Sequence, residues 1–173
     1  VSSRATIAEA ACELFLERGY DATSISDITR RAGVARSSFF NYFAAKGDVL
    51  WAGFDERADA AAAALTDPAV SVADALGGIG ADFEPDALAL AITNADAMGL
   101  ATELERDRAL RQRRVQRLVA ARLERDGMDR LAAEVRAGAF AAAVMAALWV
   151  WADRSAAGPP LARVLGTALA QAG

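Results

Sequence analysis

Apolar residues recur at helical spacing almost from one end of this chain to the other, and runs of β-branched residues are nearly absent. Alanine dominates the apolar fraction and there are only four prolines, a composition that favours helix throughout. The core must therefore be built from helix faces, and the expected class is all-α. With 173 residues, 54% of them hydrophobic and 24% charged, the chain is long enough to bury a sizeable core and too apolar to be disordered.

Composition also removes whole classes of function. The absence of histidine takes away the commonest acid–base group and metal ligand. The single cysteine, Cys12, allows neither an internal disulfide nor a cysteine metal motif. The carboxylates form no recognisable catalytic pairing, so neither an enzyme, a metal nor a cofactor is expected. No signal peptide is visible, because Glu9, Glu13 and Glu17 interrupt the first stretch. The longest uncharged apolar run, Ala137 to Ala152, is shorter than the roughly 20 residues that span a bilayer. It reads as a buried helix and not a membrane segment, and a reducing cytoplasm is the expected location. The chain begins at Val1 without Met, which points to residues upstream.

The periodicity predicts nine helices. The first, about Ser3 to Arg18, buries Ile7, Ala11, Leu14 and Phe15 and stops at Gly19. The second, Ile25 to Ala32, has Ser24 and Asp27 at capping-box spacing. The third covers Arg36 to Phe43 and the fourth Lys46 to Leu65. Helices follow at about 72–82, weakened by Gly77, Gly78 and Gly80, then from Glu84–Pro85 to Met98, at 102–125, 129–154 and from Leu161 to Ala172. The expected domains are 1–48 and 49–173.

The stretch "GVARSSFFNYF", Gly33 to Phe43, packs three Phe and a Tyr into its last five residues, directly behind an Arg and two Ser. On a helical wheel Phe39 and Phe43 share one face, where they dock on the first two helices. Arg36, Ser37, Phe40, Asn41 and Tyr42 point elsewhere, and Ser38 borders both sides. That second set suits a DNA groove: Arg pairs bidentately with guanine, Asn with adenine, and Ser with bases or phosphates. A short helix, a turn containing Gly and a second short helix form the helix-turn-helix arrangement, whose second helix enters the major groove.

The residues from Leu14 to Leu50, "LFLERGYDATSISDITRRAGVARSSFFNYFAAKGDVL", resemble the DNA-binding domain of TetR-family transcriptional regulators. The resemblance implies that Ser24 and Ser26 reach phosphates or base edges, that Arg36, Ser37 and Ser38 read bases, that Phe40 and Tyr42 touch the backbone, and that Lys46 meets a phosphate. The last role is also physical, since a helix N-terminus beside an ammonium attracts anions. Three positions depart from the family pattern. Ala35 replaces the Ser that caps the recognition helix, Phe40 replaces a Tyr, and Ala45 replaces the Ser before the Lys. From Val1 to Asp48 there are six Lys or Arg and six Asp or Glu, so non-specific DNA affinity should be modest.

For the second half the resemblance implies a homodimer, a palindromic operator and a small-molecule effector. The sequence independently offers a dimerisation seam at Leu131, Val135, Gly138, Ala142, Met145 and Trp149, with Leu161, Leu165 and Leu169 on the last helix. The effector pocket is expected among Leu88, Ile92, Thr93, Asn94, Met98, Leu118, Phe140, Val144, Leu148 and Trp151, for an apolar ligand with Thr93 or Asn94 as polar anchor. A plain packed core explains the same residues.

The Arg-rich helix, with Arg106, Arg108, Arg111, Arg113, Arg114, Arg117, Arg122 and Arg125, reads either as a solvated helix with i,i+4 pairs or as a site for an acyl-CoA-like effector. A weak similarity of helices seven to nine to regulators of the mycofactocin type, which respond to acyl-CoA, implies the latter. The competing function is a helical binding or scaffold protein whose helix-turn-helix no longer reads DNA. Operator, effector identity, regulated genes and the choice between repressor and activator are not written in the sequence.

Overall fold

The computed structural model describes residues 3–83, 86–154 and 158–173. Among them the chain is all-helical, with nine α-helices and no strand. They are α1 (Ser3–Arg18), α2 (Ile25–Arg31), α3 (Arg36–Phe40), α4 (Asp48–Ala64), α5 (Val72–Gly77), α6 (Ala87–Thr93), α7 (Ala101–Arg125), α8 (Arg130–Ala152) and α9 (Leu161–Ala172). The Glu84–Pro85 helix start expected from sequence lies outside the described residues, as do 155–157.

The chain divides into two compact units, one of Val1–Gly53 with Pro85–Glu105 and the other of Phe54–Glu84 with Arg106–Gly173. The segment that carries α6 and the start of α7 thus packs with the N-terminal helices.

In the first unit α1 packs on α2, α3 and α6. Ile7, Leu14, Phe15, Ile28, Phe39, Leu50 and Trp51 are buried there. Gly19 ends α1 in the left-handed region at φ +87, the conformation glycine adopts without a Cβ clash. The thiol of Cys12 is buried, and desolvation pushes its pKa up to about 12, so it is an inert core group. Helix α6 is shorter than its periodicity suggests. Thr93 Oγ1 donates to the carbonyl of Ala89 and Asn94 Nδ2 to that of Leu90, and these side-chain bonds compete with continuation of the helix.

In the second unit α8 and α9 form the closest helix pair. Leu161, Leu165 and Leu169 of α9 are buried, and the Phe83 and Trp151 rings meet edge to face, with centroids 5.5 Å apart. The Arg-rich helix pairs both with its neighbours and along itself, with Arg113 reaching Glu134 of α8 and Arg106 beside Asp107. Arg111 donates to both carboxylate oxygens of Asp55 at 2.9 and 2.7 Å, and Arg114 pairs with Asp59. Arg122 forms the expected i,i+4 pair, with Asp126.

Gly77–Gly80 do not simply weaken a helix. Helix α5 ends at Gly77 and a single 3-10 turn runs Gly78–Gly80. A Cβ at Gly80 would lie 2.9 Å from Ala162 Cα and 3.0 Å from Ala162 N, whereas Gly77 and Gly78 have open space. Gly80 is where α9 comes closest to this turn. Gly80→Ala should destabilise the protein by about 1–3 kcal/mol through backbone overlap. Gly78→Ala should be neutral or slightly stabilising. Urea denaturation of both variants checks the contrast.

Candidate nucleic-acid interface

The helix-turn-helix is built by caps and two anchors. Ser24 accepts from the backbone N–H of Asp27, and the Asp27 carboxylate accepts from the Ser24 backbone N–H, a reciprocal capping box. The same carboxylate accepts from the Ser24 hydroxyl at 2.6 Å and pairs with Arg30. These hydrogen bonds, those from Ser24 foremost, hold the Asp27 pKa down to about 2. The hydroxyl of Ser24 is therefore spent in the cap. Arg31 joins α2 to α1 through Glu17 and Glu13.

Gly33, at φ +67, makes the turn into α3. Ala35 provides no side-chain cap for α3, as its substitution for Ser implies. The regular helix stops at Phe40, earlier than the Phe43 expected, although Phe43 N–H still donates to the Phe39 carbonyl. A five-residue helix without an N-cap is near the lower limit of length, and packing holds it. That packing is Phe39 and Phe43, both buried, with ring centroids 5.4 Å apart.

The opposite face is open. Phe40 is 50% exposed and Tyr42 45%, and Arg36, Ser37 and Asn41 are exposed while Ser38 is half-buried. Arg36 Nη1 donates to the Ser26 hydroxyl at 3.3 Å, so two of the expected DNA-contacting side chains meet in the absence of DNA. The structure thus gathers Ser26, Arg36, Ser37, Phe40, Asn41 and Tyr42 on the open side of α2 and α3. Lys46 is not with them. It is half-buried and donates to the carbonyls of Tyr20 and Thr23 at 2.6 and 2.9 Å. Tyr20 and Thr23 carry no signal for this in their side chains, because their carbonyls do the work.

The other expected sets separate between the units. Leu88, Ile92, Thr93, Asn94 and Met98 belong to the first unit, and Leu118, Phe140, Val144, Leu148 and Trp151 to the second. Leu88, Met98, Phe140, Val144, Leu148 and Trp151 are buried, Ile92 and Leu118 are half-buried, and Thr93 is exposed. Thr93 and Asn94 both spend donors on the last carbonyls of α6.

On α8, Leu131, Val135 and Ala142 are exposed, Gly138 and Trp149 half-buried, and Met145 buried. The α9 stripe of Leu161, Leu165 and Leu169 is covered within the chain, so it does not supply the outward surface expected of it. Trp149 lies under the Arg108 guanidinium, 4.4 Å from its ring centroid, on the other side of α8 from Trp151.

A short helix anchored by two rings, with Arg, Ser and Asn facing out and a second helix behind it, has the arrangement of a DNA-reading helix-turn-helix. Residues 7–52 match the family described as "Bacterial regulatory proteins, tetR family".

A "Putative mycofactocin biosynthesis transcriptional regulator MftR" of Mycobacterium tuberculosis is 42% identical over 48 residues, 28% of this chain and 24% of that protein. That match is too short to span α7 to α9. The HTH-type transcriptional repressor DhaR of Mycobacterium sp. is 35% identical over 71 residues, 39% of this chain and 36% of that one. The chain therefore aligns with well under half the length of either relative. The TetR family repressor AlkX from Dietzia sp., implicated in biodegradation of n-alkanes, matches over 99% of this chain and 94% of its own, at 17% identity and a TM-score of 0.52. This is a likeness of fold.

Among the described residues no group of three or more His, Cys, Asp or Glu side chains is placed to hold a metal. Helix α8 is long and apolar enough to cross a membrane by length and composition alone, and half of its most apolar window is buried inside the protein.

Proposed function

We propose that the protein is a homodimeric, cytoplasmic repressor. Two copies of α3 read the half-sites of a palindromic operator, and a small, largely apolar or acyl-CoA-like effector releases it. Residues 1–48 bind DNA, and residues 49–173 dimerise and sense the effector. The observation that carries the DNA-binding reading is the division of α3, with Phe39 and Phe43 buried and Arg36, Ser37, Phe40, Asn41 and Tyr42 outside. A degenerate domain would have no reason to hold Arg36 on Ser26 at the open face. The repressor assignment draws on the printed names of DhaR and AlkX. The dimer draws on the apolar outer face of α8, where Leu131 and Val135 are 73% and 68% exposed.

Selection of duplexes from a randomised library by the purified protein tests the reading, and a palindromic consensus is the expected result. Arg36→Ala should then weaken binding to the selected site by about 1–3 kcal/mol and relax the preference at one base pair. Its binding to unrelated DNA should change little, as gel shifts on both duplexes would show. Retention of full specificity by Arg36→Ala would remove Arg36 from base reading. Addition of fatty-acyl, steroid and aromatic compounds to the same gel shift tests the effector, and release by none of them would count against an apolar one.

A further inference from the structure

We infer that Lys46 acts as a positioning residue, a cation that clamps the α1–α2 loop to the start of α4, and that it does not neutralise a DNA phosphate. This rests on the DNA-binding reading above.

The argument starts from what the start of α4 has left to offer. An ammonium beside a helix N-terminus makes an anion site when both its charge and the first backbone N–H groups face outward. Here the ammonium is engaged inside the domain, and so is the backbone N–H of Ala45 in the turn that leads into α4. The backbone N–H of Ala45 donates to the Asp48 carboxylate at 2.9 Å, an internal cap. Lys46 Nζ turns the other way, donating to the Tyr20 carbonyl at 2.6 Å and the Thr23 carbonyl at 2.9 Å. It also lies 4.0 Å from the Tyr20 ring centroid, within cation–π range. Lys46 is partly desolvated by this burial, which lowers its pKa, while Asp21 and Glu103 oppose that shift.

The clamped loop also holds itself together, with the Thr23 backbone N–H donating to the same Tyr20 carbonyl at 3.2 Å. Thr23 immediately precedes Ser24, the cap of α2, so fixing the Thr23 carbonyl fixes where α2 begins. Thr23 Oγ1 in turn donates to the Gly19 carbonyl at 2.8 Å. Tyr20 packs on Phe15, with ring centroids 5.0 Å apart, and its backbone N–H donates to the Met98 carbonyl at 2.7 Å. Lys46 follows directly on the turn that leaves α3. One ammonium therefore ties the entrance of α2, the exit of α3 and, through Tyr20, the turn at Met98. Moving Lys46 to a phosphate would empty this cage and leave two carbonyls without their charged donor, a loss that DNA contact would have to offset.

The experiment compares wild type with Lys46→Met and Lys46→Arg on the duplex that wild type selects. Affinity is read from about 50 to 200 mM salt, at a temperature where every protein is fully folded. Met keeps the aliphatic stem without the charge. Arg keeps the charge, but its planar fork does not fill a compact two-carbonyl cage. The expected result is that both variants bind about tenfold more weakly at every salt concentration, the worth of one charge-assisted hydrogen bond, with an unchanged salt slope. A slope reduced by about 0.9 for Met and retained for Arg is the signature of a lost phosphate contact and overturns the inference. A lower melting temperature with unchanged operator affinity makes Lys46 merely structural and also overturns it. Wild type that binds no duplex overturns the DNA-binding reading itself, and so is distinct from a variant that fails while wild type binds.

Discussion

Arg122→Ala is expected to be among the most destabilising single changes in the protein, at about 3 kcal/mol. Arg122 is only 5% exposed, and all three nitrogens of its guanidinium donate hydrogen bonds. Nε donates to both oxygens of Asp126 at 3.0 and 2.9 Å. Nη1 donates to the carbonyls of Leu65 and Asp67, and Nη2 to that of Pro68. Those carbonyls close the C-terminal end of α4, where a helix leaves acceptors unsatisfied and the macrodipole favours a cation. Arg125 adds a second donor to the Leu65 carbonyl at 3.1 Å.

Truncation of Arg122 removes this set of bonds at once and leaves buried acceptors behind. In a chain of this size about 3 kcal/mol corresponds to roughly 6–12 °C of melting temperature. Lys at this position should recover only part of the loss, because a single ammonium cannot serve a carboxylate and three carbonyls in a planar fork. Arg117→Ala, at an exposed position of the same helix, should stay within about 0.5 kcal/mol. Calorimetry of the three variants checks the order. Equal losses for Arg117 and Arg122 would mean that helix charge, and not the cap, carries the effect.

Arg122 also shows where sequence reading stops. The helix-turn-helix was legible because its signals are local: Ser24 and Asp27 at capping distance, Gly33 at a turn, Phe39 and Phe43 one helical turn apart. All nine described helices were visible for the same reason, with ends displaced by a few residues. The fork of Arg122 and the ammonium of Lys46 are bound chiefly by backbone carbonyls. A carbonyl has no side-chain signature, and those bound by Arg122 come from segments more than 50 positions away. Seven other arginines on α7 looked equivalent. The stripe on α9 failed differently. Leu161, Leu165 and Leu169 had to be covered, but amphipathicity does not say by what, and α8, α5 and the Gly78–Gly80 turn of the same chain pack on α9. The exposed set on α2 and α3 that is proposed to meet DNA stood between these cases. Its face was readable from the wheel, while the inward turn of Lys46 was not.

Replacing Leu131 and Val135 together by Asp should convert the protein to a monomer. The helical repeat places residues 131, 135, 138, 142 and 149 within about 60° of one another. On α8 this sector holds Leu131, Val135, Gly138, Ala142 and Trp149, with the first two mostly outside. The opposite sector holds Ala133, Ala137, Phe140, Val144, Leu148 and Trp151, all buried, and α9 packs on this helix. A helix apolar on both sides, with one side already used, has a face that water disfavours. Gly138 already lies against the Gln116 side chain and Trp149 under Arg108, so the open part of this face is Leu131, Val135 and the small, exposed Ala142.

In the proposed homodimer two symmetric copies of this face would form an isologous contact, in which each substitution acts twice. Four carboxylates buried near a two-fold axis without partners cost far more than the interface can return. The double variant should sediment as a folded monomer with an unchanged helical spectrum. Its operator affinity should fall by at least about a hundredfold, because each half-site must then be bound without the other. Neither substituted residue is buried in the chain itself, so the melting temperature of the monomer should be largely preserved. The milder pair, Leu131→Ala with Val135→Ala, should give an intermediate dimer affinity. If the Asp variant still sediments as a dimer, the partner surface lies elsewhere and the exposed face of α8 needs another occupant.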